Sequence, residues 1–169
     1  SLISPDGERT MCTFLCSTGT FSAEDIRPEY FNGADVCHIG GYLVQSHELI
    51  EKVMKTAKKC GVKVSLDLAS YNVVEENFDF MHYLAKNYVD IAFANEDEGH
   101  SFTKCDDLKR AAEIISEDIE VAIVKCGAKG VWTKRGDEIV FVEGLKGRNC
   151  IDTTGAGDLF ASGFLYGLM

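Results

Sequence analysis

The chain has 169 residues, 46% of them hydrophobic and 26% charged, which is the balance of a soluble globular unit able to bury a sizeable core. That composition excludes collagen-like, disordered and coiled-coil chains, and no stretch approaches the roughly 20 apolar residues of a membrane span. Seventeen Lys and Arg against 27 Asp and Glu leave a net charge of −10. Such acidity argues against a nucleic-acid polymer as partner, but not against a small phosphate ligand held by backbone amides.

In chain order, Met11 to Cys16 predicts a short strand after a Pro5-Asp6-Gly7 turn. Val36-Cys37-His38-Ile39 predicts a compact strand ending at Gly40-Gly41. Ser46 can cap a following helix whose apolar positions Leu49, Ile50, Val53 and Ala57 recur at helical spacing, with Gly61 as its stop. Residues 62–68 predict a strand, 75–86 a helix and 89–94 a strand. Asp106 or Asp107 starts a helix with Leu108, Ala112 and Ile115 on one face. A strand at 121–124 follows, then a hairpin of 131–134 and 138–142 around Arg135-Gly136-Asp137, which reads as a turn and not as an adhesion tripeptide. Strands alternating with helices predict an α/β fold with a mostly parallel sheet covered by helices on both faces. In such folds ligands sit beyond the carboxyl ends of the strands.

Seven cysteines in scattered positions, with no C-x-x-C pair, read as free thiols of a reducing cytoplasm. The four histidines form no ligand pair at helical spacing, so no zinc site is expected.

The strongest chemical signal is Asp152-Thr153-Thr154-Gly155-Ala156-Gly157-Asp158-Leu159-Phe160. Small residues at 155 to 157 let the backbone turn sharply with its amides outward, and a helix from about Ala156 adds the positive end of its dipole. Together they make an anion site suited to a phosphoryl group, with Asp158 beside it to accept a proton from an attacking hydroxyl. The plainer alternative is a tight loop in which Asp158 only starts the helix. Asp-Thr-Thr ahead of the glycines and the apolar helix behind them favour the anion site.

Residues 152–168, DTTGAGDLFASGFLYGL, resemble the C-terminal signature of the ribokinase/PfkB family of carbohydrate and nucleoside kinases. Asn95-Glu96-Asp97-Glu98 resembles the family's N-x-x-E motif, and Gly127-Ala128-Lys129-Gly130 its nucleotide-side G-x-x-G. The runs Pro5 to Met11 and Ser65 to Ser70 are most similar to the adenosine-kinase-like branch. The resemblance spans nearly the whole chain. It implies a ribokinase-like three-layer α/β/α fold and transfer of the ATP γ-phosphate to a hydroxymethyl group of a sugar or nucleoside.

By that resemblance, Asp158 is the general base, and the amides of Gly155, Ala156 and Gly157 form the anion hole. Asn95 and Glu98 order Mg²⁺ and its waters, although each taken alone reads as a turn residue and a solvated helix face. Gly127 and Gly130 lie on the ATP side. Asp152 and Thr154 match positions that hold a monovalent cation, K⁺, in many members. Lys125 stands where the family often has Thr, and either reaches a phosphate or points to solvent. Asp67, at a strand end, is either a ligand group or a loop cap. Gly163 and Gly167 read as points of close helix packing.

The chain begins at Ser1 and ends in an apolar helical run, so the expectation is a partial kinase domain over 1–169, without the N-terminal substrate and lid half and the extreme C-terminus. Alone, it is expected to be inactive. A homodimer of the longer protein is implied by the lid strands of the family. The rival is a non-catalytic nucleotide-binding or interaction module that keeps the kinase fold.

Overall fold

The computed structural model describes residues 2–3, 9–10, 20–145 and 153–169, so the strand expected from Met11 to Cys16 lies outside the described residues. Near the start, β1 (Leu2–Ile3) and β2 (Arg9–Thr10) pair antiparallel in a sheet of their own. The body is a six-stranded sheet whose spatial order follows the chain. Its strands are β3 (Val36–Gly40), β4 (Lys63–Asp67), β5 (Ile91–Ala94), β6 (Val121–Lys125), β7 (Gly130–Arg135) and β8 (Glu138–Glu143). β3 to β6 are parallel; β7 and β8 are antiparallel.

The helices are α1 (His47–Lys59), α2 (Tyr71–Glu76), α3 (Phe78–Tyr88), α4 (Glu96–Thr103), α5 (Leu108–Ile115) and α6 (Ala156–Leu168). The first five fill the crossovers between parallel strands. Because the strands advance in one direction across the sheet, these crossovers return over one face. That face holds the larger apolar cluster, in which Ile50 and Met54 of α1, Leu84 of α3 and Ile115 of α5 pack on Val64, Leu66, Ala92, Ala122 and Val124. The opposite face is covered, among the described residues, by α6 over β5 and β6. There Ala161 packs with Ile91, Phe93, Val121 and Ile123. The edges of Phe160 and Phe164 meet Phe93 at centroid distances of 6.2 and 5.6 Å.

Two local readings are refined. The helix expected over 75–86 is two helices, α2 and α3, broken at Asn77. Both the Asn77 main-chain N–H and its side-chain amide donate to the Val73 carbonyl, and α2 ends there with Asn77 at a non-helical φ of −121°. Ser46 occupies the start of α1 without a side-chain capping bond, since a 3₁₀ turn over Gly41–Gln45 leads directly into the helix. Asp107, in contrast, caps α5 by accepting from the Arg110 N–H at 2.9 Å.

One aspartate aligns the middle strands. Asp90 Oδ2 accepts from the Val64 N–H at 2.8 Å, and the Asp90 N–H donates to the Val64 carbonyl at 2.8 Å. The Asp90 carbonyl accepts from Val121 N–H at 3.0 Å. The register that follows sets Gly40 beside Asp67, Asp67 beside Phe93, and Ala94 beside Val124. The carboxyl ends of four strands therefore finish along one line.

At the other edge, the hairpin turns at Gly136, whose φ of +56° suits glycine. Arg135 pairs with Glu120 at 2.9 Å, so the Arg-Gly-Asp run is a structural turn. A side chain added at Gly163 or Gly167 would meet nothing within 4 Å, so neither is a packing point among the described residues. Cys37, Cys60, Cys105 and Cys126 are free thiols. No helix among the described residues is long and apolar enough to cross a membrane.

Candidate active site

The line of strand ends carries the polar side chains. Asp67 closes β4, and its two oxygens do different things. Oδ1 accepts from the Ala69 N–H at 2.9 Å and holds a tight loop in which Ala69 adopts a φ of +68°. Oδ2 accepts from Lys125 Nζ at 3.0 Å, with both side chains about one-fifth exposed. Asp67 therefore acts as the loop cap, and its second oxygen lies on the cleft side. Lys125 does not stray into solvent but is held across the strand ends. Gly41 lets this region close up: a Cβ there would lie 2.5 Å from the Asp67 carbonyl oxygen.

After β5 the chain enters α4 through a reciprocal cap. Asn95 Oδ1 accepts from the Glu98 N–H at 2.8 Å. Glu98 accepts from the Asn95 N–H and from Asn95 Nδ2, both at 2.7 Å. This is a capping box, and N-x-x-E is its spelling in sequence. Glu98 is 3% exposed, not the solvated helix face that it resembles in isolation. Burial pushes its carboxyl above the usual Glu range, against the Asn95 N–H bond, which lowers it.

After β6, Gly127–Lys129 forms a 3₁₀ turn closed by Cys126 N–H donating to the Gly130 carbonyl at 2.8 Å. Gly127 and Gly130 have φ values of +53° and +138°, and a Cβ on Gly130 would collide with the Val142 carbonyl oxygen. The two glycines of G-x-x-G are thus required by backbone geometry. Cys126 is buried, as its small apolar character suggests.

Opposite these loops stands the start of α6. Gly155 caps it with a φ of +72°. The Ala156 N–H turns back to the Thr153 carbonyl at 3.1 Å, whereas no acceptor among the described residues engages the Gly155 or Gly157 N–H. A Cβ on Gly157 would lie 3.7 Å from Lys125 Nζ. An ammonium and the positive end of a helix therefore converge, with the Asp67 carboxylate as their counter-charge. Asp158 sits exposed in the first turn of α6. Thr154 is exposed beside it, and Asp152 lies outside the described residues.

Two cavities meet here. One, of about 340 Å³, is lined by Asn95, Glu96, Asp97, Lys125, Gly127 and Gly157. The other, of about 490 Å³, includes His38, Tyr42, Asp67, Glu98, Gly155 and Asp158 in its lining and shares Asn95, Lys125 and Gly157 with the first. His38 was not singled out by the sequence. Its Nδ1 lies 3.0 Å from the hydroxyl of fully buried Ser65. His38 is exposed at the cavity wall, and partial desolvation there holds the imidazole below the usual His range, opposed by the charges of Asp67 and Asp158. The signal that could have found it is polar Ser65 and Asp67 at i, i+2, with apolar Val64 and Leu66 alternating on the other face.

The pfkB carbohydrate kinase family model matches residues 1–169. The chain belongs to that family. Among curated relatives of this pfkB-family chain, the guanosine-inosine kinase of Escherichia coli (strain K12) is 28% identical over 138 residues, covering 78% of this chain and 32% of the relative. Among solved structures, adenosine kinase from Sinorhizobium meliloti superposes with a TM-score of 0.81 at 30% identity, over 88% of this chain and 46% of that one. A chain from E. coli assigned as a ribokinase II, solved with ATP and Mg²⁺, superposes with a TM-score of 0.73 at 25% identity, over 84% of this chain and 48% of that one. The pfkB-family chain thus spans between about a quarter and a half of the length of such relatives.

The pfkB-family chain has the ribokinase-like α/β/α layering, with a mostly parallel sheet. Asn95, Lys125, Gly127, Gly157, Asp158, Gly155 and Glu98 all line the two joined cavities. Gly130 supports the Gly127 turn from behind, and Ala156 presents no free amide to the cleft.

Proposed function

We propose that the longer protein carrying this chain is an ATP-dependent kinase that moves the γ-phosphate to a hydroxymethyl group of a sugar or nucleoside. The observation that carries this reading is the pair of joined cavities. The glycine turn at Gly127 lies on one, Asp158 lies on the other, and Lys125, Asn95 and Gly157 belong to both. A reaction that passes one group between two ligands calls for that arrangement.

In this reading ATP lies along the Gly127 side, and the acceptor lies along the wall of His38, Asp67 and Asp158. Asp158 takes the proton as the acceptor oxygen forms its bond to phosphorus and the bond to the β-phosphate oxygen breaks. Charge spreading over the equatorial oxygens is met by the Gly155 and Gly157 amides and by the α6 dipole, to which Ala156 contributes as part of the first turn. Lys125, which lines both cavities, exchanges its Asp67 partner for a phosphate oxygen when ATP binds.

Among the described residues no cluster of three or more His, Cys, Asp or Glu forms a metal cage. Mg²⁺ keeps waters and binds mainly through substrate phosphates with one or two carboxylates. Asn95 and Glu98 would hold it, the carboxylate acting through water, and the ion would neutralise the triphosphate. The solved relative with ATP and Mg²⁺ supports this cofactor pair. Asp152 and Thr154 are assigned to a monovalent cation on the family motif alone. Seven scattered cysteines without a C-x-x-C pair suit a reducing setting.

The decisive experiment is Asp158→Asn in the full-length protein. Turnover should fall by about 10²–10⁴-fold with the KM for ATP little changed; normal turnover would defeat the reading. The 169-residue chain by itself should phosphorylate neither adenosine nor ribose.

A further inference from the structure

Ser65 is a costly residue where it stands. It is fully buried in a strand whose other inner residues are apolar, and a buried hydroxyl without a partner is unfavourable. Its one recorded side-chain bond, at 3.0 Å, runs to His38 Nδ1 on the neighbouring strand, in direct register. Alanine would fill the same place without needing a partner. What the hydroxyl adds is a fixed imidazole: with Nδ1 engaged, the ring orientation is set and Nε2 is left as the remaining polar atom. The edge of the ring contacts, or is met by, Phe93 at 5.8 Å and 85°, which restrains it further.

The surroundings give that atom a use. On β3 and β4, the side chains lining the larger cavity belong to His38 and Asp67. Both Asp67 oxygens are committed, to Ala69 N–H and to Lys125. No partner among the described residues engages His38 Nε2. Gly40, two residues on and therefore on the same side of the strand, also lines the cavity, and a Cβ there would meet nothing within 4 Å. There is room beside the imidazole for part of a ligand, on the cavity that also contains Asp158.

We infer that His38 is a specificity residue for the phosphoryl acceptor, binding through Nε2 a ring hydroxyl other than the one that is phosphorylated, and that Ser65 is its positioning residue. This rests on the kinase reading above. A hydroxyl suits the site because it both donates and accepts, and so pairs with whichever role Nε2 takes. A neutral ring, which partial desolvation at the cavity wall favours, also avoids placing a second cation beside Lys125.

The test uses the full-length protein, the best acceptor from a panel of sugars and nucleosides, and the deoxy analogues of that acceptor. His38→Ala should raise the acceptor KM by about tenfold, leave the KM for ATP within twofold, and erase the preference over one particular deoxy analogue. Ser65→Ala should act in the same direction but less, and the double variant should cost no more than His38→Ala alone. His38→Gln should restore part of the discrimination. Unchanged acceptor KM and unchanged deoxy discrimination in a soluble, folded His38→Ala protein would overturn the inference while leaving the kinase reading intact. A wild-type protein that phosphorylates nothing in the panel would overturn both.

Discussion

On β4, Leu66 is 1% exposed within the apolar layer beneath α1–α5, while its neighbours Ser65 and Asp67 project to the opposite face. There they meet His38 and Lys125 beside the cleft. The same alternation on β5 and β6 sends Ala92, Ala94, Ala122 and Val124 to the large cluster and Ile91, Phe93, Val121 and Ile123 to α6. One set of strands thus carries two surfaces with different duties. The α1–α5 face is closed and apolar, and its contribution is stability. The α6 face becomes polar toward β3 and β4, where the cavities open, and there the same strands position chemistry. Two residues one step apart on β4 can therefore be altered with quite different consequences.

After the loss of turnover expected for Asp158→Asn, the largest effect should come from Leu66→Ala. It leaves a cavity in the closed face and should cost about 2–5 kcal/mol of stability. Denaturant unfolding should show that loss, while turnover per folded molecule stays near wild type. An equally large change in the KM for ATP would break the separation of the two faces.

Lys125→Met probes the opposite face. It should raise the KM for ATP about ten- to hundredfold, the range of a charge-assisted hydrogen bond. It also strands Asp67, so some stability is lost. The double variant Asp67→Asn with Lys125→Met should regain that stability but not the ATP affinity. Recovery of both would reduce Lys125 to a structural partner of Asp67.

Glu98→Gln gives the smallest and most specific effect on stability, apart from any loss of Mg²⁺-dependent turnover. The buried Glu98 carboxyl titrates above the ordinary Glu range, so the folded chain holds this proton more tightly than the unfolded one. Its contribution to stability is therefore greatest at low pH and falls as pH rises between the ordinary and the raised value. Gln can still serve at the third position of a capping box. The variant should flatten that part of the stability–pH curve; a curve parallel to wild type would remove the burial cost from Glu98.

Much of this architecture is legible in the residues. The apolar spacing of α1 and α5, the strand over residues 121–124 and the hairpin around Gly136 follow from local periodicity and turn chemistry. The Gly155-Ala156-Gly157-Asp158 run is equally readable, because its glycine turn, helix start and carboxylate are contiguous. Other features were ambiguous. Asn95 and Glu98 read singly as turn and surface, yet together they spell a reciprocal cap. Asn77 gave no warning of a helix break, since its place as shared cap of α2 and α3 shows only in the backbone geometry.

The amino-acid order by itself determined the alternation of strands and helices, the glycine turns and the Gly155-Ala156-Gly157 start of α6. Each depends on residues within a few positions of one another, where backbone sterics and side-chain periodicity act directly. Only the tertiary structure decided that Lys125 faces Asp67, 58 positions away, and that His38 faces Ser65, 27 positions away. Those pairings are consequences of parallel register. A shift of one residue would turn the strand's side chains to the other face, and no local pattern in the chain reports it.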